Sequence, residues 1–420
     1  MKNFESWIES LALTHSPNFD ECVSFLGNYF PLLHQFSETE QDKIWHAEGD
    51  VAIHTDMVLS ELYDLLASEA QHIVGRKRQV LILSALLHDI AKPLTTRRKD
   101  INGFERVVAS KHEEIGASYL ATKLIELPLE HESIMSIMGL VGFHQVPKLL
   151  VVRNKSYSDY FHLSLNADLE LLYWLELADM KGRVCDDLEK QVDLLEQFRM
   201  FAEDYELWCV VDSTKPILNK IQVKSSVSEQ TFLDAYTVHQ LAHGQISMPE
   251  EAVAKNYQGA QEYSNLYVMC GISGSGKSTW IAQNLPEFEV ISLDEIRAEL
   301  NGKRDCQKNR GQMLQLAKQR LKTALANKRN VVWDATNIRK DFRKIICDLG
   351  FNYGALITVV VFQIRESSLR VNNRNRKHAV GEDVVTNQIN KLEWPTFTEA
   401  HRLVVIGEKG QELLKQGSFN

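Results

Sequence analysis

The chain has 420 residues, enough for two or three domains, and its 44% hydrophobic and 25% charged residues are those of an ordinary globular protein. The six cysteines, one of them Cys306, form no CxxC pair, which argues against a disulfide or zinc framework and suits a reducing cytosol, so a cytoplasmic protein is expected. The N-terminal stretch has no long apolar core, and runs such as 355–362 are too short to span a bilayer, so neither a signal peptide nor a membrane partner is expected. A net charge of −9 by itself argues against a nucleic-acid partner.

Residues 1–40 read as short helices whose aromatics, Trp7, Phe19, Phe25, Tyr29 and Phe36, pack together, and no chemistry is visible there. The stretch from Trp45 to Leu59 follows, reading WHAEGDVAIHTDMVL. Its apolar residues then recur at helical spacing (Val58, Leu62, Leu65, Leu66), which puts His54 near a helix start. The apolar segment 80–87 ends in His88-Asp89. An isolated carboxylate at the end of a buried helix is costly to desolvate, so a metal ion off the helix end is the natural partner of this pair. Imidazole with carboxylate suits Mn, Fe, Co, Ni or Zn better than Mg alone. His112 opens another amphipathic helix, His144 closes an apolar segment, and Asp179 lies near the end of a third, within LADMKGR.

The order His54, His88-Asp89, Asp179 resembles the H…HD…D pattern of HD-domain metal-dependent phosphohydrolases, which are all-helical. His112 and His144 resemble the extra histidines that let some members hold a second metal. The wording of the first stretch, with LLHDIAK and LADMKGR, is especially similar to the HD module of bacterial CCA-adding enzymes, over residues 45–185. Ala91 stands where that family usually has glycine. The resemblance implies that Asp89 ligates a metal and orients a water, the metal lowering the pKa of that water. Two residues stay open: His46 between supporting a ligand and lying on the surface, and Lys92 between substrate phosphate and its own helix end.

Residues 186–208 continue as an acidic amphipathic helix, and 211–262 read as a connector of mixed composition. Within it His239 and His243 stand one helical turn apart, but Gln240 replaces the glutamate a zincin protease needs, leaving a solvated helix face.

A short apolar run, 266–270, then meets Gly271-Ile272-Ser273-Gly274-Ser275-Gly276-Lys277-Ser278, followed by Thr279. Strand, glycine loop and helix in this order are a P-loop: backbone amides of Gly271, Ser273, Gly274, Ser275 and Gly276 surround phosphates, Lys277 reaches the β/γ phosphates and Ser278 ligates Mg²⁺. ATP and Mg²⁺ are therefore expected cofactors. Beyond lie a strand ending in Asp294, with Arg297 a turn later, the run Asp334-Ala335-Thr336-Asn337, a strand over 355–362, and an arginine-rich segment with Arg374 and Arg376. Alternating strand and helix argue a doubly wound parallel sheet. Residues 263–420 hold 24 Lys+Arg against 16 Asp+Glu, leaving 23 against 40 for 1–262, so the overall acidity conceals a basic C-terminal part.

This second set resembles the phage-type 5′-OH polynucleotide kinases over residues 264–400. The resemblance implies Asp294 as general base for the 5′-OH, Arg297 on the acceptor's 3′ phosphate, and Arg374, with Arg376 as its neighbour, as the lid arginine on ATP. Asp334 as a carboxylate holding Mg²⁺ through water is the alternative.

The expected architecture is multidomain: an all-α HD domain (1–210), a connector (211–262), and an α/β P-loop kinase domain with a parallel sheet (263–420). The two resemblances together are those of bifunctional bacterial end-healing enzymes. They imply phosphorylation of a 5′-OH and removal of a 2′,3′-cyclic phosphate or 2′-phosphate, on RNA or DNA, with a nucleic-acid ligase acting downstream. An HD nucleotidase fused to a small-metabolite kinase, and an ATP-gated regulator with a non-catalytic HD module, remain alternatives. RNA or DNA preference, the metal and the oligomeric state are left open.

Overall fold

The computed structural model describes residues 2–224, 226–256, 262–302 and 309–419; Cys306 lies outside them. Contacts divide the chain into two compact units, Met1–Ser213 and Thr214–Asn420.

The first unit is helical. Asp50 caps α1 (Val51–Ala67), its carboxylate accepting from the Ile53 amide at 3.0 Å, and so sets where the helix begins one turn before His54. In α2 (Gly75–Leu87) every residue from Val80 to Leu87 is buried. This helix runs through the middle of the unit, which is why its sequence shows a continuous apolar run rather than a stripe. Strands β1 (Thr96–Ile101) and β2 (Phe104–Ala109) form an antiparallel hairpin, an addition to the expected all-α unit. Its turn, Asn102-Gly103, has positive φ at both residues (56° and 84°), the geometry that pairs two strands through a two-residue loop. There follow α3 (His112–Lys123), α4 (His131–Phe143), α5 (Val146–Val152), α6 (Leu169–Lys181) and α7 (Leu188–Asp204). Helix α6 packs on α1, α2, α4 and α5, so the ends of the central helices meet around it.

In the second unit α8 (Val227–Ala242) belongs to the core: its Phe232 and Ala235 are buried against Leu356 of the sheet. The segment that reads as a connector is thus largely part of this unit, from Thr214 on. His239 is likewise no solvated face, since its ring stacks 4.2 Å from Phe351 and lies 5.2 Å from His401. The remaining elements alternate as expected: β3 (Asn265–Cys270), α9 (Lys277–Asn284), β4 (Glu289–Ser292), α10 (Leu293–Asn301), α11 (Arg310–Ala326), β5 (Val331–Asp334), α12 (Lys340–Asn352), β6 (Leu356–Phe362), α13 (Glu366–Asn375), α14 (Glu382–Asn390), β7 (Arg402–Ile406) and β8 (Glu412–Gln416). The sheet order is β4-β5-β3-β6-β7-β8, parallel except for the antiparallel β7–β8 pair. All seven residues of β6 are buried, as a strand covered on both faces requires. Among the described residues no single helix is long and apolar enough to cross a membrane.

Candidate active sites

In the first unit all six expected ligands are buried and converge. His54 comes from the first turn of α1, His88 and Asp89 from the end of α2, His112 from the start of α3, His144 from the end of α4, and Asp179 from the last turn of α6. Their ring tautomers follow from the backbone. The Nδ1 atoms of His88, His112 and His144 each lie 2.8 Å from a carbonyl oxygen, of Ala85, Ala109 and Val141, and His54 Nδ1 lies 3.2 Å from that of Gly182. A carbonyl only accepts, so Nδ1 carries a proton and Nε2 is the atom that each ring turns inward.

Three of those Nε2 atoms face carboxylates. His54 Nε2 is 3.0 Å from Asp179 Oδ1, His88 Nε2 is 3.1 Å from Asp89 Oδ2, and His112 Nε2 is 3.1 Å from Asp89 Oδ1. The Nε2 atoms of all four histidines and Asp89 Oδ2 are buried without a hydrogen-bond partner. Acceptors this close to acceptors need cations among them. Burial, together with the neighbouring His112 and His88, pushes His144 down to about 3, whereas at His54 burial is outweighed by Asp179 and Glu48, which raise it. Divalent metal fits the donor set. Ligand atoms of His54, His88 and Asp179 lie within 4.8 Å of one another, as do those of Asp89, His112 and His144, which gives two triads meeting at the His88-Asp89 pair.

Supporting charges surround the triads. Burial opposes ionisation of Asp89 and Asp179, but His88 and Lys92 on the one side and Arg183 and His54 on the other hold both carboxyls well below their ordinary range. Lys92 Nζ forms an ion pair with Asp89 Oδ2 at 2.7 Å and donates to Gln41 Oε1 at 2.6 Å. Arg183 is bidentate on Asp179, its Nε 3.0 Å from Oδ1. Glu48 bridges His46 Nδ1 at 2.8 Å and His54 Nδ1 at 3.1 Å, so His46 supports a ligand through a carboxylate. Sequence reasoning missed Glu48, and Arg183, although the latter's place four residues after Asp179 was a readable signal. It also missed Lys148 and Glu176, which come together only in space, with Nζ 3.2 Å from Oε1. Burial, relieved in part by Lys148, pushes Glu176 up to about 7.

In the second unit the glycine loop leaves β3 and enters α9. Gly274 and Gly276 have φ of 89° and 91°, so the turn favours glycine at both, and at Gly274 the approach of α13 adds to this, since a Cβ there would stand 2.6 Å from the Leu369 carbonyl. Lys277 folds over its own loop, donating to the Gly271 and Ile272 carbonyls at 2.7 and 3.1 Å. Burial lowers its pKa, with Asp334 opposing. Ser273, Gly274, Ser275, Gly276, Lys277, Ser278 and Thr279 line a cleft of 1790 Å³ that also receives Asp294, Arg297, Asp334 and Arg376. Gly271 lies behind the loop, its amide donating to the Thr336 carbonyl at 2.9 Å.

Asp294 is half exposed, and Arg297 Nη1 donates to its Oδ1 at 2.6 Å. Burial raises the pKa of Asp334, Lys277 working against it, so two carboxylates of different environment flank the loop. Arg374 departs from its expected place. Its Nε donates to Glu382 of α14 at 2.8 Å, its side chain is 65% exposed, and it does not line the cleft. Helix α13 ends at Asn375, and the extended backbone at Arg376 (φ −82°, ψ 149°) carries that side chain into the cleft instead. Gln388 of α14 was not singled out by sequence; its Oε1 accepts from the Ser273 amide at 2.8 Å, on the phosphate loop itself.

Comparison with known proteins agrees with this division. Residues 52–163 match the family model described as HD domain, and residues 266–395 match the model described as AAA domain. No curated protein matches the chain. A solved structure from the characterization of the PezAT chromosomal toxin-antitoxin system of the human pathogen Streptococcus pneumoniae is similar at 15% identity, over 40% of this chain and 80% of that chain, with a TM-score of 0.30. The chain therefore carries an N-terminal HD domain and a C-terminal P-loop kinase-like domain with a mostly parallel sheet.

Proposed function

We propose that the protein heals broken nucleic-acid ends in the cytoplasm, its P-loop unit phosphorylating a 5′-OH with ATP and its HD unit removing a 2′,3′-cyclic phosphate or 2′-phosphate. The observation that carries this reading is the size and charge of the P-loop cleft. Its 1790 Å³ is well beyond the roughly 300–1,000 Å³ of a small-ligand pocket. Among the described residues nine lining side chains are Lys or Arg, against the acidic Asp294, Asp334 and Glu408. A second anion beside the nucleotide is what such a wall accommodates, and a polynucleotide end is that anion.

In this reading the 5′ oxygen attacks the γ-phosphorus, the new P–O bond forms as the bond to the β-bridging oxygen breaks, and ADP leaves. Asp294 takes the hydroxyl proton. Arg297 holds the phosphate next to the acceptor hydroxyl, while Lys277 and Arg376 offset charge on the transferring group. Ser278 would hold Mg²⁺. In the HD unit His54, His88, Asp89, His112, His144 and Asp179 would hold one or two ions of Mn, Ni, Co, Fe or Zn. When bound, such ions supply Lewis acidity and a water of lowered pKa. Asp89, steadied by Lys92, orients the water that adds to phosphorus, and the broken P–O bond leaves first a monoester and then a free hydroxyl with inorganic phosphate. The products, a 5′-phosphate and a free 3′ end, are substrates for a nucleic-acid ligase.

The experiment is one oligonucleotide with a 5′-OH and a 2′,3′-cyclic phosphate, incubated with labelled ATP, Mg²⁺ and Mn²⁺ and resolved on a denaturing gel. Label gained at the 5′ end and phosphate lost from the 3′ end, abolished respectively by Asp294→Asn and Asp89→Ala, is the expected result. Unchanged ends with turnover of free nucleotides would replace end healing by the nucleotidase and metabolite-kinase reading.

A further inference from the structure

The HD unit has a cavity of 490 Å³ whose wall includes His112 of the metal site. Its lining is mixed and includes the carboxylates Glu40, Asp42 and Glu113, of which Asp42 is taken up by Arg106 and Glu40 by Arg98, but two other parts stand out. One is cationic and withdrawn from solvent: Lys92 and Lys148 are buried and Arg183 is half-buried, each already set against a carboxylate, Asp89, Glu176 and Asp179. The other is apolar and open: Trp45, Leu149 and Val152 are 42%, 40% and 62% exposed. Single exposed apolar side chains are ordinary, but three on the wall of one cavity ask for a ligand with an apolar face. The cations ask for an anion on the same ligand.

Trp45 is presented on a stiff turn. Its amide and that of His46 donate to the Asp42 carbonyl at 3.1 and 2.8 Å, and the Asp42 carboxylate is clamped by Arg106 at 2.6 and 2.8 Å. On the other side His46 is tied through Glu48 to the ligand His54. The backbone that carries the indole is thus tied to residues that also support the metal site.

From this arrangement we infer that the HD cavity binds a terminal nucleotide, with its phosphate drawn toward Lys148 and Arg183 and its nucleobase stacked on Trp45. A base has a flat apolar face and its phosphate is anionic, which matches both parts of the wall, and stacking on an aromatic ring is tolerant of base identity. The inference rests on the phosphoesterase reading of the HD unit and adds to it that the substrate is recognised through its base. Trp45 is a specificity residue here, apart from the chemistry.

The test uses the full chain loaded with Mn²⁺. KM and kcat are measured for a nucleoside 2′-phosphate, and glycerol 2-phosphate, which has no base, is tested as a competitive inhibitor. Trp45→Ala is expected to raise KM for the nucleotide about tenfold while leaving kcat and the inhibition constant of glycerol 2-phosphate unchanged, and Trp45→Phe to keep KM within about threefold of the wild type. An unchanged KM in Trp45→Ala, or a KM and inhibition constant that rise together, overturns the base platform and leaves the phosphoesterase standing. A wild-type protein that hydrolyses no nucleotide phosphate overturns both.

Discussion

Arg297 donates from Nη1 to Oδ1 of Asp294 at 2.6 Å, one helical turn apart on α10, at the wall of the P-loop cleft. The pair couples the two roles proposed for it: a guanidinium that turns to an acceptor phosphate releases the carboxylate for the hydroxyl proton. Asp294→Asn is expected to slow phosphoryl transfer to the oligonucleotide by about 10²–10⁴ with ATP binding retained. Arg297→Ala should act mainly on KM for the oligonucleotide and little on KM for ATP. Steady-state kinetics with each substrate varied in turn decide this, and an Arg297 effect confined to ATP would remove the acceptor role.

The two triads predict metal content. Wild-type protein should bind two divalent ions per chain, and His144→Ala and Asp89→Ala one each, because both residues belong to the triad with His112 while His54, His88 and Asp179 stay in place. Elemental analysis after dialysis measures this. Chelation should lower the unfolding temperature of the HD unit, since ions at a hundred times their dissociation constant stabilise by about 2.7 kcal/mol.

Arg376 and Arg374 should separate cleanly. Arg376→Ala, which strips a cation from the cleft wall, is expected to reduce kcat/KM for ATP by about a hundredfold. Arg374→Ala breaks only an exposed pair with Glu382 and should stay within about threefold. The reverse ranking would show that α13 and α14 rearrange when nucleotide binds.

A pH dependence follows from His401. Its Nδ1 accepts the Ile357 amide at 3.1 Å, and burial, with Arg402 adding to it, pushes the ring down to about 3 from the ordinary 6.5. The folded ring is neutral while the unfolded one takes up a proton. Stability is therefore full above about 6.5 and is lost as pH falls toward 3, by up to about 1.4 kcal/mol per pH unit. Urea unfolding of the P-loop unit at pH 7.5 and 5 should show a larger loss for wild type than for His401→Gln, and equal losses would mean that His401 titrates normally.

The sequence alone determined the order of the units and located most of the candidate site residues, because both signals are local or ordered along the chain. The glycine loop is eight consecutive residues, 271–278, and the ligand motifs keep their order from His54 to Asp179. The hairpin, an addition to the expected helices, also has a local signal, the Asn102-Gly103 dipeptide that favours its turn. Strands β7 and β8 left a weaker trace, since short strands carry little periodicity.

Tertiary structure alone decided which side chains face the sites. Arg374 and Arg376 are two residues apart in one arginine-rich run, yet a helix end between them sends one to Glu382 and the other into the cleft. Segment 227–242 has the composition of a connector but is buried by a strand more than a hundred residues away. Lys148 and Glu176 sit on different helices, and Glu48 reaches His54 through the fold, so none of these partners has a sequence spacing to betray it. Pattern along a chain reports which face of an element is apolar; the partner across that face is set by packing, which the pattern does not contain.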